Sequence, residues 1–385
     1  MINLIQVTTV PDSLAFFYGH ISFLQAHGFR VQAVTSPGPL DKPLGVRGQI
    51  QIYRIPMSRS LSPLRDLVAL CRLWWLFRTL KPDIVHSHTP KAGLLGTLAA
   101  RISGVPVVFL SVFGLPQMTQ NGIMRYILNV STWLACFVAH RVWCDSFSIR
   151  DYLAQHRLCK IRKIFVLGHG SVNGVDAQNV FSPILHGAAA GAEIRAKYGI
   201  PPAALVLGFV GRIVGDKGMR ELAGAWRNLR EQYINVHLII VGKFESQDPL
   251  SLADEQLFQT DSRIHITGYQ NNVAPYYAAM DIFTMPSYRE GFGIANIEAA
   301  AMALPVVSTL IPGCIDSVQD GRTGTLVLPR DVKTLTTALQ SYMDDSELRH
   351  KHGQEGRARV LRDFVPVTIQ MGLSQEYLRL LQKAR

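Results

Sequence analysis

The feature that most constrains this chain is an alternation that occurs twice. Short apolar runs, rich in β-branched residues, are separated by longer stretches with helical spacing. In the first half Asn3–Thr8, Arg30–Thr35, Ile50–Ile55, Asp83–Ser87 and Val105–Val112 read as strands, with helices over Ser13–His27, Leu64–Leu80 and Lys91–Ser103. In the second half the strands are Leu205–Val210, Val236–Val241, Arg263–Thr267, Ile282–Met285 and Val306–Thr309. Its helices are Met219–Gln232, Gly293–Met302, Val332–Met343 and a long C-terminal one. Strands this apolar are buried on both faces, which means parallel, doubly wound sheets. The expected fold class is α/β with one Rossmann-like domain per half. The stretch Phe181–Pro202, with Pro183, the small residues 187–192 and Pro201-Pro202, reads as the linker.

Five scattered cysteines form no C-x-x-C pair, so neither a disulfide framework nor a structural zinc site is indicated. Met1–Val10 runs straight into a strand without a basic leader, and the expectation is a cytoplasmic protein. The charge is uneven. Residues 1–165 hold 18 Lys and Arg against 6 Asp and Glu, and the remainder hold 21 against 22. A basic first half is expected to face something anionic. Nucleic acid is a weak candidate, because the cations are dispersed and no nucleic-acid motif accompanies them.

No stretch reads as a clean membrane span. The best, Ile123–Trp143, is interrupted by Arg125, Asn129, His140 and Arg141 and reads as a buried helix of the first domain. Leu64–Leu80 mixes Leu67, Leu70, Leu73, Trp74, Trp75 and Phe77 with Arg65, Arg72 and Arg78. It suits a membrane face or a helix packed on the sheet equally well.

Three segments carry chemistry. Pro286–Pro305 leaves a strand, turns through Gly291 and Gly293, and enters a helix, with Glu290 before that helix and Glu298 within it. A glycine turn feeding a helix start offers N–H groups to a phosphate, and carboxylates beside it suit sugar hydroxyls. In Gly208–Glu221 a second glycine-rich loop places Lys217 and Arg220 at a helix start, where a cation is unfavourable unless it meets a diphosphate. The loop is neither G-x-G-x-x-G nor a P-loop. In Asp83–Gly93 a strand leads to His88, Thr89 and Pro90, with Lys91 in the first helical turn. His86 reads as a core histidine, and His88 lies at the strand end where α/β sheets bind ligands. No metal site is expected, and no Asp-x-Asp occurs to clamp a metal-bound nucleotide sugar.

Together these segments resemble family 4 glycosyltransferases of the GT-B fold over nearly the whole chain. Glu290 and Glu298 match the E-x7-E motif, and Arg212 and Lys217 match the basic pair on the donor diphosphate. His88–Gly93 and Gly170–Asp176 resemble the capsule and O-antigen subgroup. Phe113, Ala303 and Ile315 depart from the family pattern, and Val10–Leu14 lacks its paired glycines. The resemblance implies two Rossmann-like domains facing a central cleft: an acceptor domain 1–180, a donor domain 181–365, and a C-terminal helix 366–385 returning toward the first. It implies a retaining, metal-independent transferase without cofactor. Such an enzyme moves a hexose or N-acetylhexosamine, UDP-linked by expectation, to a glycan on a lipid diphosphate at the inner membrane face. Catalysis would involve Glu290, Lys217, Arg212 and His88. The donor would meet Glu298, Gly291, Phe292, Gly293, Ile294 and Gly211, and the acceptor Lys91 and Gly114. The partners expected are the nucleotide sugar, the lipid-linked acceptor and an anionic membrane surface, with no nucleic acid. A nucleotide-sugar epimerase of the same fold is the rival enzyme reading.

Overall fold

The structure, a computed structural model, describes residues 1–38, 50–58 and 60–384. Arg47 and Arg59, two contributors to the basic first half, lie outside the described residues. The chain divides into two compact units, Met1–Asn173 with Pro366–Arg385, and Gly174–Val365.

The first unit is built on a parallel sheet of seven strands: β1 (Ile2–Val7), β2 (Phe29–Thr35), β3 (Gln51–Arg54), β4 (Ile84–Ser87), β5 (Val107–Val112), β6 (Arg141–Cys144) and β7 (Ile164–Val166). Their order is β3-β2-β1-β4-β5-β6-β7. Leu4 pairs with Val31 on one side and Ile84 on the other, so the strand centre is wholly buried. The second unit holds β8 (Leu205–Val210), β9 (Val236–Val241), β10 (Ile264–Ile266), β11 (Ile282–Met285), β12 (Val306–Thr309) and β13 (Gly324–Val327), in the order β10-β9-β8-β11-β12-β13. In each sheet the winding reverses once, between β1 and β4 and between β8 and β11. Ligands of open α/β sheets bind at the carboxyl ends of the strands at that reversal.

The strands β6, β7 and β13 are additions to the sequence reading. The expected helix 123–143 ends at Val138, where Lys163 Nζ caps the carbonyls of Cys136, Phe137 and Ala139, and β6 follows. That helix is also not buried: of Gly122–Val138 only Ala135 and Cys136 are. The expected helix 13–27 is two, Pro11–Ala15 and Tyr18–Ala26. The expected linker contains a helix, Ala188–Lys197, whose small residues let it lie tight on its neighbour; a Cβ at Gly191 would stand 2.3 Å from the carbonyl oxygen of Ala278.

Helices Pro63–Leu80, Pro90–Ile102 and Gly122–Val138 lie side by side on one face of the first sheet. Pro63–Leu80 packs inward through Ala69, Leu73, Leu76 and Phe77 and leaves Leu64, Leu67, Trp74 and Trp75 outside. The opposite face is covered by Tyr18–Ala26 and the last helix, Pro366–Ala384, whose Tyr377 is fully buried beside Phe109.

Candidate active site

In the second unit, the loop after β8 and the loop after β11 meet at the reversal of winding. Their closeness depends on Gly218, held at φ +71°, where a Cβ would stand 1.9 Å from the carbonyl oxygen of Pro286. Two ion pairs stitch the loops in register. Arg289 Nη2 lies 2.7 Å from Asp216 Oδ2, and the next residue of each loop makes the second pair, Lys217 Nζ to Glu290 Oε1 at 2.5 Å. Tyr288 N–H also donates to the Asp216 carbonyl. Lys217 and Glu290 side chains keep only 18% and 13% of their exposure, so their charges act in a partly dried site where electrostatics are strengthened.

Just past Glu290 the chain turns through Gly293, at φ +74°, into helix Ile294–Ala301. No side chain caps that start. Its N–H groups and dipole remain an anion-binding feature beside a lysine. Glu298 sits in the same helix. Its Oε2 accepts a 2.9 Å hydrogen bond from the fully buried Tyr277 hydroxyl, and desolvation pushes its carboxyl up to about 7, opposed by that hydrogen bond. Asn296 of the same turn is tied to Ser308 and Ser317. Glu290 also bears on Cys314, whose thiol is pushed up to about 12 by burial first and by that carboxylate second.

The structure brings Lys217, Glu290, Gly291 and Gly293 together, with Gly211 and Arg212 at the end of β8. Arg212 is half exposed and paired with Glu245 at 3.0 Å. Phe292, expected in the donor set, has its ring buried against Phe364, so its side chain anchors the glycine turn. Ile294 likewise packs against the core. The residues missed in the sequence are Tyr277, Asp216 and Arg289. Tyr277 looked like one more core aromatic, and Arg289 and Asp216 carry meaning only through the adjacency of two loops.

In the first unit two of the expected site residues have partners within the protein. His88 does not reach a surface. It is 1% exposed, its Nε2 donates to Gln6 Oε1 at 2.5 Å, and its ring is flanked by Phe17 and His86. Burial holds it neutral, lowering its pKa to about 3. His86 is a core histidine as expected, bonded to Tyr377 and Ser111. Lys91 pairs with Asp66 at 2.5 Å and donates to the Ser60 carbonyl. Gly114 follows β5 at φ +90°, and Phe113 beside it packs on Trp143. Thr89, at the end of β4, adopts φ +65°, an uncommon conformation for a β-branched residue, and its hydroxyl meets that of Thr9 at 2.7 Å.

Two doubly wound parallel sheets, one with a charged glycine turn at its reversal of winding, define a protein of the GT-B class. Residues 191–359 match the family Glycosyl transferases group 1 and residues 16–176 match Glycosyltransferase Family 4, and the chain belongs to this glycosyltransferase family. It is 31% identical to the capsular polysaccharide biosynthesis glycosyltransferase CapM of Staphylococcus aureus, over 99% of this chain and 98% of that one. It is 27% identical to the UDP-Gal:alpha-D-GlcNAc-diphosphoundecaprenol alpha-1,3-galactosyltransferase of Escherichia coli, over 81% and 79% of the two chains. The solved structure of Anabaena HepE in complex with UDP shares the fold at a TM-score of 0.80, with 19% identity over 98% of this chain and all of that one.

Proposed function

We propose that the protein transfers a hexose or N-acetylhexosamine from a UDP-sugar to a glycan carried on a lipid diphosphate, with retention of anomeric configuration. The observation that carries this reading is the Lys217–Glu290 pair beside the uncapped start of helix Ile294–Ala301. A diphosphate seated on that helix start takes Lys217 as counter-ion. Glu290, released from the lysine, accepts hydrogen bonds from the donor sugar, and Glu298 accepts those of the ribose. As the anomeric carbon–oxygen bond to the diphosphate breaks, the bond to the acceptor oxygen forms on the same face. The acceptor hydroxyl gives its proton to the departing phosphate oxygen. Lys217 and Arg212 hold the charge that develops there, and no metal is required for that role. The UDP of the E. coli relative's donor and of the HepE complex, and the diphosphoundecaprenol acceptor of that relative, support the choice of substrates. A lipid-linked acceptor places the work at the inner face of a membrane, with the protein peripheral to it.

A donor panel tests this. The full-length protein is incubated with UDP-, GDP- and TDP-sugars and an undecaprenyl-diphosphate-linked sugar, and released nucleotide is measured. Release from one UDP-sugar, dependent on acceptor, is expected. Release without acceptor, yielding an epimerised nucleotide sugar, overturns the transferase reading.

A further inference from the structure

Where the loops after β8 and β11 meet, Asp216 and Lys217 on one loop pair with Arg289 and Glu290 on the other, and the signs alternate around the four. Each side chain keeps a quarter of its exposure or less. In a partly dried site each of these charges is felt strongly by the others.

An incoming diphosphate accounts for Lys217 and Glu290, but not for a second acid beside that lysine. Asp216 immediately precedes Lys217, and its backbone is pinned. Its N–H donates to Asp248 Oδ2 at 2.6 Å, and a Cβ on Gly215 would stand 2.8 and 2.9 Å from the two carboxylate oxygens of Asp248. A carboxylate held there weakens an anion site twice, by repelling the anion and by competing for its cation. Arg212 does not offset it, being paired with Glu245.

Arg289 does, and its pairing with Asp216 is only half made. Nη2 bonds Oδ2 at 2.7 Å, while Arg289 Nε and Asp216 Oδ1 are buried with no hydrogen-bond partner among the described residues. Nε and Nη2 are the two donors along one edge of the guanidinium, and the two carboxylate oxygens match them. A small turn closes the pair into a bidentate fork, the stronger form of this contact.

We propose that Arg289 is a positioning residue for the transfer: by holding Asp216 it keeps that carboxylate off Lys217 and leaves the lysine's charge to the diphosphate. The fork closes as Lys217 leaves Glu290. The inference rests on the reading that a nucleoside diphosphate sugar binds here, and deepens it by naming the residue that sets the charge balance of the site.

The test uses the full-length protein, calorimetry with UDP and with inorganic pyrophosphate, and steady-state kinetics of transfer. Arg289→Gln strands the Asp216 charge and is expected to weaken both probes about tenfold or more, raising KM for the donor more than it lowers kcat. Arg289→Lys keeps the charge and should recover most of that loss. The deciding variant is Asp216→Asn/Arg289→Gln, which carries neither charge and should bind UDP within about threefold of wild type. An ion pair that merely fastens the loops gives the opposite pattern: Asp216→Asn alone is as damaging as Arg289→Gln, and the double variant is no better than either. That pattern overturns the proposal, as does wild-type affinity for both probes in Arg289→Gln. Should Arg289→Gln fail to fold, Asp216→Asn decides. With the competing acid gone and Arg289 unpaired, pyrophosphate binding should tighten, and weakened binding overturns the proposal. Wild type that binds UDP and pyrophosphate but transfers no sugar sinks the transferase reading and leaves the role of Arg289 to these variants. Wild type that binds neither probe overturns both.

Discussion

Lys217 Nζ and Glu290 Oε1 lie 2.5 Å apart, each side chain largely withdrawn from water, at the point where the loops after β8 and β11 meet. The pair satisfies two charges that would otherwise be costly there, and in the proposed function it opens when a diphosphate takes the lysine.

The first prediction follows from that pair. Lys217→Ala should lower turnover by about 100-fold or more, the scale of losing one preorganised charge stabiliser. Glu290→Ala should lower turnover while leaving UDP binding nearly intact, since it frees the lysine for the diphosphate. Activity should persist in EDTA. Steady-state kinetics and calorimetry with UDP decide between this pattern and one in which both variants lose UDP equally.

A second prediction concerns pH. Desolvation pushes the Glu298 carboxyl up to about 7, well above the ordinary carboxylate range. In the proposed function Glu298 accepts from ribose hydroxyls, and its carboxylate does so more strongly than its acid form, so affinity should climb as pH rises through about 7 and level off above it. Uridine, which carries no phosphate to titrate, is the ligand to use. Tyr277→Phe removes the hydrogen bond that favours the carboxylate and should move the midpoint to higher pH. Glu298→Gln should flatten the profile and weaken uridine by about 1–3 kcal/mol. The same shift destabilises the fold as pH rises from about 4.5 to about 7 and adds no further loss above that, because the unfolded chain ionises this group more readily. Glu298→Gln should therefore melt higher relative to wild type at pH 8 than at pH 5.

The contact of the two loops can be broken sterically. Gly218→Ala adds a Cβ to a backbone at φ +71° and drives it into the Pro286 carbonyl. Gly104→Ala meets the same kind of strain at φ +75° with nothing within 4 Å. The second variant should lose about 1–2 kcal/mol. The first should lose clearly more and should also fail to bind UDP, as thermal melting and calorimetry can establish.

The first unit should be acid-sensitive. His20, His86 and His88 are all held neutral mainly by burial. Their folded pKa values lie below the unfolded value of 6.5, so the stability they lend is present above that pH and is lost as pH falls below it. Each contributes a slope of up to about 1.4 kcal/mol per pH unit. Urea unfolding between pH 7 and 5 should show this slope, and the His88 ring resonance should not titrate in that window.

Much of the site was legible in one dimension because its chemistry is local. Glu290, Gly291, Gly293 and Glu298 lie within one strand–turn–helix, and spacing alone sets them around a helix start. Lys217 was legible for a related reason: a cation just before a helix start needs an anion to account for it. The surroundings of His88 and Lys91 were not legible, because a polar residue at a strand end looks the same in sequence whether it faces a ligand, Gln6 or Asp66. Helix Gly122–Val138 misled in the opposite direction, since apolar periodicity gives the width of a stripe and not what covers it.

What the amino-acid order determined by itself was the alternation of buried strands and helices, the two glycine turns and the imbalance of charge between the halves. These depend on backbone conformation, side-chain period and composition, all of which act over a few residues. Tertiary structure alone decided that Lys217 meets Glu290 and that Tyr277 holds Glu298. It alone decided that His88 is sealed among Phe17, His86 and Gln6, and that an aromatic stripe faces outward. Each of those depends on segments far apart in the chain being brought to one place by the order of strands in a sheet, and on whether the space beside a side chain is filled.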